Sequence, residues 1–215
     1  MDKFVKEMDS LMCDTNRMCD LVNEMIEDAV KAFDTGDIGL AEKAMDLFDH
    51  VDRYDVEIEK SAFRILTLYQ PLVSDMRAIA ATLKCITYLE RIAKYSRNIA
   101  EAAVYLDERE QYPVKSLIAP MGERAIEMVR TSTSAFMNRT MDGLDTIVDQ
   151  DDFLDMAMKE SLHEIVAFMG TCPESADVCT YYISVLKYLE RVGDHACKIA
   201  EKVTFMVTGM RTRIN

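Results

Sequence analysis

Two sets of carboxylates, 100 residues apart, are the groups in this chain best placed to do chemistry. Asp49-x-x-Asp52-x-x-Asp55 is matched by Asp149-x-x-Asp152-x-x-Asp155. Glu90 and Glu101 are matched by Glu190 and Glu201, and the second set adds Asp194. Spacings of three and four residues put such groups on one face of a helix. Facing carboxylates can do three things: bind a cation through oxygen, pair with Arg and Lys, or stand in water at an open bundle end. Oxygen-only donors favour Mg, Mn, Ca or Fe over a thiolate-preferring metal.

The helical wheel makes these positions unusual. Leu72, Met76, Ile79, Leu83 and Ile86 fall within about 40° of Glu90 at about 100° per residue. Lys94, Arg97 and Glu101 share that stripe. One residue series after another repeats the arrangement: Cys179, Ile183 and Leu186 with Glu190, Asp194 and Glu201; Met45, Phe48, Phe63 and Leu66 with Asp52 and Glu59; Val148 and Val166 with Asp145 and Asp152. These stripes are expected to face a core, where an unpaired carboxylate is costly.

The elements that must carry them come from a tandem duplication. Tyr88-Leu89-Glu90-Arg91 recurs as Tyr188-Leu189-Glu190-Arg191, and Ile99-Ala100-Glu101 as Ile199-Ala200-Glu201. Breakers cut the chain into six helical stretches, over 3–33, 37–69, 72–106, 114–139, 143–169 and 175–207. Asp37 is an expected N-cap, and Gln70-Pro71 and Cys172-Pro173 turn the chain at equivalent places. Short loops make successive helices antiparallel. The expected fold is all-α: two tandem pseudo-symmetric three-helix bundles, over residues 1–107 and 108–215. Helices of about 30 residues span about 45 Å. Helices two and three, like five and six, should bring their carboxylate zones face to face.

Composition agrees. The 215 residues include only 7 Gly and 4 Pro, a helical balance. No run of about 18 apolar residues is present and no signal-peptide layout opens the chain, so a cytoplasmic location is expected. The net charge of −13 disfavours nucleic acid and anionic lipid. No run of Lys and Arg marks a basic patch, so cations and basic protein surfaces are the expected partners. The six cysteines form no CxxC pair and are expected as reduced, mostly buried small residues. The 16 methionines are expected chiefly in the core.

Together these segments resemble the PhoU family. The resemblance is carried by Gln70-Pro71-Leu72-Val73-Ser74-Asp75-Met76-Arg77, by Leu89-Glu90-Arg91-Ile92 leading to Asn98-Ile99-Ala100-Glu101, and by Leu189-Glu190-Arg191-Val192-Gly193-Asp194 leading to Ile199-Ala200-Glu201. It spans nearly the whole chain. It implies paired three-helix bundles and Glu/Asp-x-x-x-Asp motifs that hold divalent or trivalent metal ions such as Fe, Zn or Mg. Glu190 and Asp194 keep that motif intact, whereas the first half has Glu90 and Lys94. Asn98 is kept in the first half and replaced by Lys198 in the second. The second-half metal candidates are therefore Glu190, Asp194, Asp149, Asp152, Asp155 and Glu201. Glu90, Asp49, Asp52, Asp55, Asn98 and Glu101 form a weaker first-half set. There Lys94, held among Glu90, Asp49 and Asp52, is expected to neutralise carboxylates and repel a metal.

The resemblance also implies a non-enzymatic regulatory adaptor of phosphate homeostasis. Its partners would be the phosphate ABC transporter ATPase and a phosphate-sensing histidine kinase. It would act negatively when phosphate is ample, reach the membrane only through those partners, and self-associate as a homodimer. The alternative is a carboxylate-bridged metal-binding or metal-storage bundle. Against it, Glu160-x-x-His163 is the one Glu-x-x-His pair, and its first-half counterpart is Lys60 and Phe63. A purely structural helical protein leaves the repeated carboxylates unexplained. No Gly-rich phosphate loop, Walker lysine or nucleophile elbow is present.

Overall fold

The computed structural model describes residues 2–214, with the side chain of Asp2 left aside. Six long helices carry the fold: α1 (Asp2–Thr35), α2 (Ile38–Tyr69), α3 (Val73–Leu106), α4 (Ala119–Asn138), α5 (Ile147–Thr171) and α6 (Ala176–Thr208). No strand is found among the described residues. Each half is a three-helix bundle. In the first, α1, α2 and α3 all pack on one another; in the second, α4 and α5 pack on α6. The halves join along α3–α6 and α1–α4.

Heptads explain the packing. In α1, Leu11, Thr15, Met18, Val22, Met25, Ala29 and Ala32 are all buried, alternating by four and three residues. In α2, Ala44, Val51, Ile58 and Ile65 recur every seventh position and are all buried. This is the seam of a left-handed helical bundle. Met18, Met25, Met121 and Met128 are fully buried, as expected for core methionines, whereas Met76, Met141, Met156 and Met210 are exposed.

The turns follow residue chemistry. Gly36 takes a left-handed φ of 76°, and the Asp37 carboxylate accepts from the Leu40 N–H at 3.2 Å to cap α2. Gln70 ends α2 in a left-handed conformation, ahead of Pro71. The later helices start differently from the sequence expectation. Residues 113–117 form a 3₁₀ turn opened by Pro113, and α4 begins only at Ala119. Gly143 (φ 78°) stands outside α5, which begins at Ile147 after a 3₁₀ turn. Proline and a left-handed glycine each stop an α-helix from propagating through them.

Two glycines allow close helix approach. A Cβ on Gly122 of α4 would lie 2.6 Å from Val30 Cγ1 of α1, and one on Gly193 of α6 would lie 2.5 Å from Leu154 Cδ1 of α5. Across the junction of the halves, Asn23 Nδ2 donates to Thr133 Oγ1 at 2.9 Å and Arg130 pairs with Glu27 at 2.7 Å. Between α3 and α6, His195 stacks on Tyr88 and Tyr95, and Tyr95 also stacks on Tyr188. All six cysteines are free; Cys19, Cys85, Cys179 and Cys197 are buried.

Candidate functional site

The carboxylate stripes face the cores only in part: Ile79, Ile86, Cys179 and Leu186 are buried. Leu72 (77 % exposed), Met76, Phe63, Val148 and Val166, which shared the predicted stripes, are all exposed. Around Glu90 and Glu190 the core face runs beside the acids, through Leu89, Ile92 and Ala93 and through Leu189, Val192 and Ala196. Glu90 and Glu190 consequently stand half-buried at the margin of their bundles. The wheel put apolar residues and carboxylates within the same 40° sector, and the real boundary of burial passes through that sector.

In the second half, α5 and α6 bring Asp151, Asp155, Glu190 and Asp194 together. Burial raises the Glu190 carboxyl above its ordinary range, and Asp194, Asp155 and Asp151 push it further against the opposing charge of Arg191. Burial also raises Asp151, with Asp194, Asp155 and Asp152 adding to it and a hydrogen bond from Cys197 opposing it. Arg191 is the cation in place: it reaches Asp194 at 3.0 Å and Glu190 at 3.4 Å.

In the first half, α2 and α3 set Asp55 near Glu90. Burial raises Asp55, followed by the charges of Glu59, Glu90 and Asp52. Arg91 lies 3.7 Å from Glu90, as Arg191 does near Glu190. Lys94 does not sit among the carboxylates as expected. It is exposed, as are Asp49 and Asp52, and among the described residues it forms no ion pair. A flexible ammonium on a solvated face gains little from ordering itself beside exposed carboxylates. The charge difference from Asp194 stands nonetheless.

Other candidates fall elsewhere. Glu101 and Glu201 lie 11 residues beyond Glu90 and Glu190, about 16 Å along the helix, too far to share one ion with them. Glu201 is buried and already satisfied: Lys198 Nζ lies 2.9 Å and Lys202 Nζ 3.3 Å away, and the Ile214 N–H donates to Oε1 at 3.2 Å. Glu101 is exposed and pairs with Arg97 at 3.1 Å; Asn98 and Glu101 line a cleft between α3 and α6. Asp149 and Asp152 are exposed.

The residue missed from sequence is Asp151, 5 % exposed and in contact with the Cys197 thiol. Its signal was available: Val51, 100 residues earlier, belongs to the buried heptad of α2.

Oxygen donors raised by burial and mutual repulsion suit a hard cation in place of a proton. Yet no group of three His, Cys, Asp or Glu donors among the described residues is spaced to hold an ion as it stands. Arg191 would have to turn away; it is more than half exposed, so its ion pairs oppose this only weakly.

These features define an all-helical scaffold of paired three-helix bundles with a carboxylate cluster on the margin of each. The PhoU domain family matches residues 15–103 and 118–203, and the chain belongs to that family. It is 28 % identical over 213 residues to the phosphate-specific transport system accessory protein PhoU homolog of Clostridium acetobutylicum, covering 99 % of this chain and 97 % of the relative. It is 31 % identical over 207 residues to PhoU homolog 1 of Thermotoga maritima, covering 96 % and 89 %. The crystal structure of PhoU from Pseudomonas aeruginosa superposes with a TM-score of 0.92 at 30 % identity, covering 96 % of this chain and 100 % of that one.

Proposed function

We propose that this chain is an accessory, regulatory protein of phosphate-specific transport, restraining uptake and phosphate-starvation signalling when phosphate is ample. The family match through both halves carries this reading. No helix of the described residues is long and apolar enough to cross a membrane, which agrees with a cytoplasmic protein reaching the membrane through its partners. The partners are the transporter ATPase and a phosphate-sensing histidine kinase, with a second copy of the chain in a homodimer. An exposed apolar end supports an adaptor: Leu68, Leu72, Val73 and Met76 stand in solvent at the α2–α3 turn.

The chain's own residues suit binding, not bond-making. Glu190, Asp194, Asp155 and Asp151 would hold a divalent or trivalent ion, and Arg191 would give up its place to it. The ion, when bound, supplies positive charge that ties α5 to α6. Deleting the gene should raise phosphate uptake and polyphosphate under phosphate-rich growth; normal levels of both would refute the regulatory reading. Metal content of untagged protein should fall in Glu190→Gln/Asp194→Asn and be unchanged in Glu90→Gln. Equal loss from both variants would refute the second-half assignment.

A further inference from the structure

The duplication creates two equivalent clefts between α3 and α6, and only one of them is cationic. One, of about 310 Å³, is lined by Glu101, Ala102, Tyr105, Tyr181, Ser184 and Tyr188. The other, of about 470 Å³, has at the matching positions Glu201, Lys202, Phe205, Ala81, Lys84 and Tyr88. Ser184 is thus replaced by Lys84 and Ala102 by Lys202. In the first cleft Tyr105 and Tyr181 stack at 4.0 Å between centroids. In the second, Ala81 stands where Tyr181 stands, leaving space.

The C-terminal segment adds two more cations to the larger cleft. It carries Arg211 and Arg213 onto the rim. It is held at both ends: Ile214 N–H binds the buried Glu201 carboxylate at 3.2 Å, and the Met210 N–H binds Thr208 Oγ1 at 3.0 Å. The Arg211 guanidinium lies over the Phe205 ring at 6.0 Å.

Four cationic side chains therefore share one cleft with a single carboxylate. Glu201 is spoken for by Lys198 and Lys202. Lys84, Arg211 and Arg213 form no ion pair among the described residues. In a chain of net charge −13, like charges gathered without counter-charge oppose one another. No scan for a run of Lys and Arg could find this patch, because its members come from α3, α6 and the C-terminal segment.

We propose that this cleft binds a small anion carrying two or more phosphoryl groups, held by Lys84, Lys202, Arg211 and Arg213. Several cations around one opening match a multiply charged ligand better than a single carboxylate or chloride. Arginine forks grip phosphoryl oxygens in pairs, and the two lysines add point charge. The volume falls within the range of small-molecule sites. This inference is independent of the transport reading, since it concerns binding to the isolated chain. A ligand there would bridge the two halves and the C-terminal segment.

The test is calorimetric titration of the purified, metal-free chain with tripolyphosphate and, separately, ATP at low and at physiological salt. Expected is binding that weakens as salt rises, loses about 10-fold or more in Arg211→Ala/Arg213→Ala, and drops again with Lys84→Ala. All three residues are exposed, and circular dichroism would confirm retained folding. Ser184→Ala and Glu101→Gln in the smaller cleft should leave binding unchanged. Equal affinity for both probes assigns the phosphoryl chain alone; tighter ATP binding assigns a nucleoside contribution. No binding at millimolar concentration, or binding that the arginine and lysine variants do not weaken, would overturn the proposal.

Discussion

The Cys197 thiol is hydrogen-bonded to the Asp151 carboxylate inside the second bundle, at positions that Arg97 and Val51 occupy in the first. One duplicated frame has thus acquired two interiors. In the first half Val51 fills its heptad place with carbon, and Arg97 lies over the Phe48 ring at 4.7 Å. In the second, an acid takes the heptad place and a thiol lies against it. Burial pushes the Cys197 thiol far up, with the Asp151 charge adding to it, so the sulfur stays protonated and donates.

Asp151→Val restores the first-half residue and should stabilise the metal-free protein at neutral pH by on the order of 1–3 kcal/mol. The sign with pH follows from the raised carboxyl. Asp151 binds its proton more tightly folded than unfolded, so the native state bears no penalty below the ordinary carboxylate range. The penalty grows as pH rises from about 4 through the elevated folded value. Melting curves in chelator should show the variant's advantage vanishing in acid and reaching its full size at neutral pH. A lower melting temperature for Asp151→Val at pH 7 would show that the carboxylate is a net structural asset.

Gly122→Ala and Gly193→Ala should differ despite similar close approaches. Alanine gains about 1 kcal/mol of helix propensity at either place. At Gly193 the obstructing atom is the tip of Leu154, with Met128 next, and flexible side chains can yield. At Gly122 it is a methyl on the branched Cβ of Val30, which is stiff at χ1. Gly122→Ala should therefore cost on the order of 1 kcal/mol net and loosen α1 from α4, whereas Gly193→Ala should be close to neutral. Urea denaturation of the two variants decides it; equal losses would remove the stiffness argument.

Leu72→Ser/Val73→Ser should leave folding stability within about 0.5 kcal/mol of the parent, because both side chains stand in solvent at 77 % and 71 % exposure. Co-purification with the transporter ATPase, the partner proposed above, should nonetheless fall. Unchanged co-purification would move the docking surface away from the α2–α3 turn.

The repeat, the six helices and the turns that follow α1, α2 and α5 were legible in sequence; the late starts of α4 and α5 were not. Tyr88-Leu89-Glu90-Arg91 and its copy fix the period, and Pro71, Pro173 and Gly36 fix the breaks. Two further things were hidden. An angular sector places Leu72 and Ile79 on one stripe, yet Leu72 is exposed and Ile79 fully buried, because Leu72 is the extended N-cap in the turn, outside α3. A wheel also carries no distance along the axis: Glu190 and Glu201 share a sector but, 11 residues apart, not a site. Asp151 and Lys84 became visible only by comparing each residue with its copy 100 positions away.

Glu201 should behave oppositely to Asp151 although both are buried acids. Burial alone would raise Glu201, but hydrogen bonds from Lys198 and the Ile214 N–H, with the lysine charges, carry it below the ordinary glutamate range. A carboxyl that is more acidic folded than unfolded contributes stability above the unfolded value of about 4.3, and loses it as pH falls through the lower folded value. Glu201→Gln removes the charge and keeps the shape. It should cost on the order of 1–3 kcal/mol at pH 7, the range for hydrogen bonds to a charged group. The cost should shrink towards zero in strong acid, where the parent's carboxyl is protonated too. The Ile214 contact adds a local reading: with only a neutral amide oxygen left to accept from the Ile214 N–H, the C-terminal segment should loosen, and trypsin should cut after Arg211 and Arg213 faster than in the parent. Faster cleavage together with a pH-dependent stability loss would identify Glu201 as the anchor of that segment. A stability loss that does not shrink in acid would assign the effect to packing of the α6 core instead.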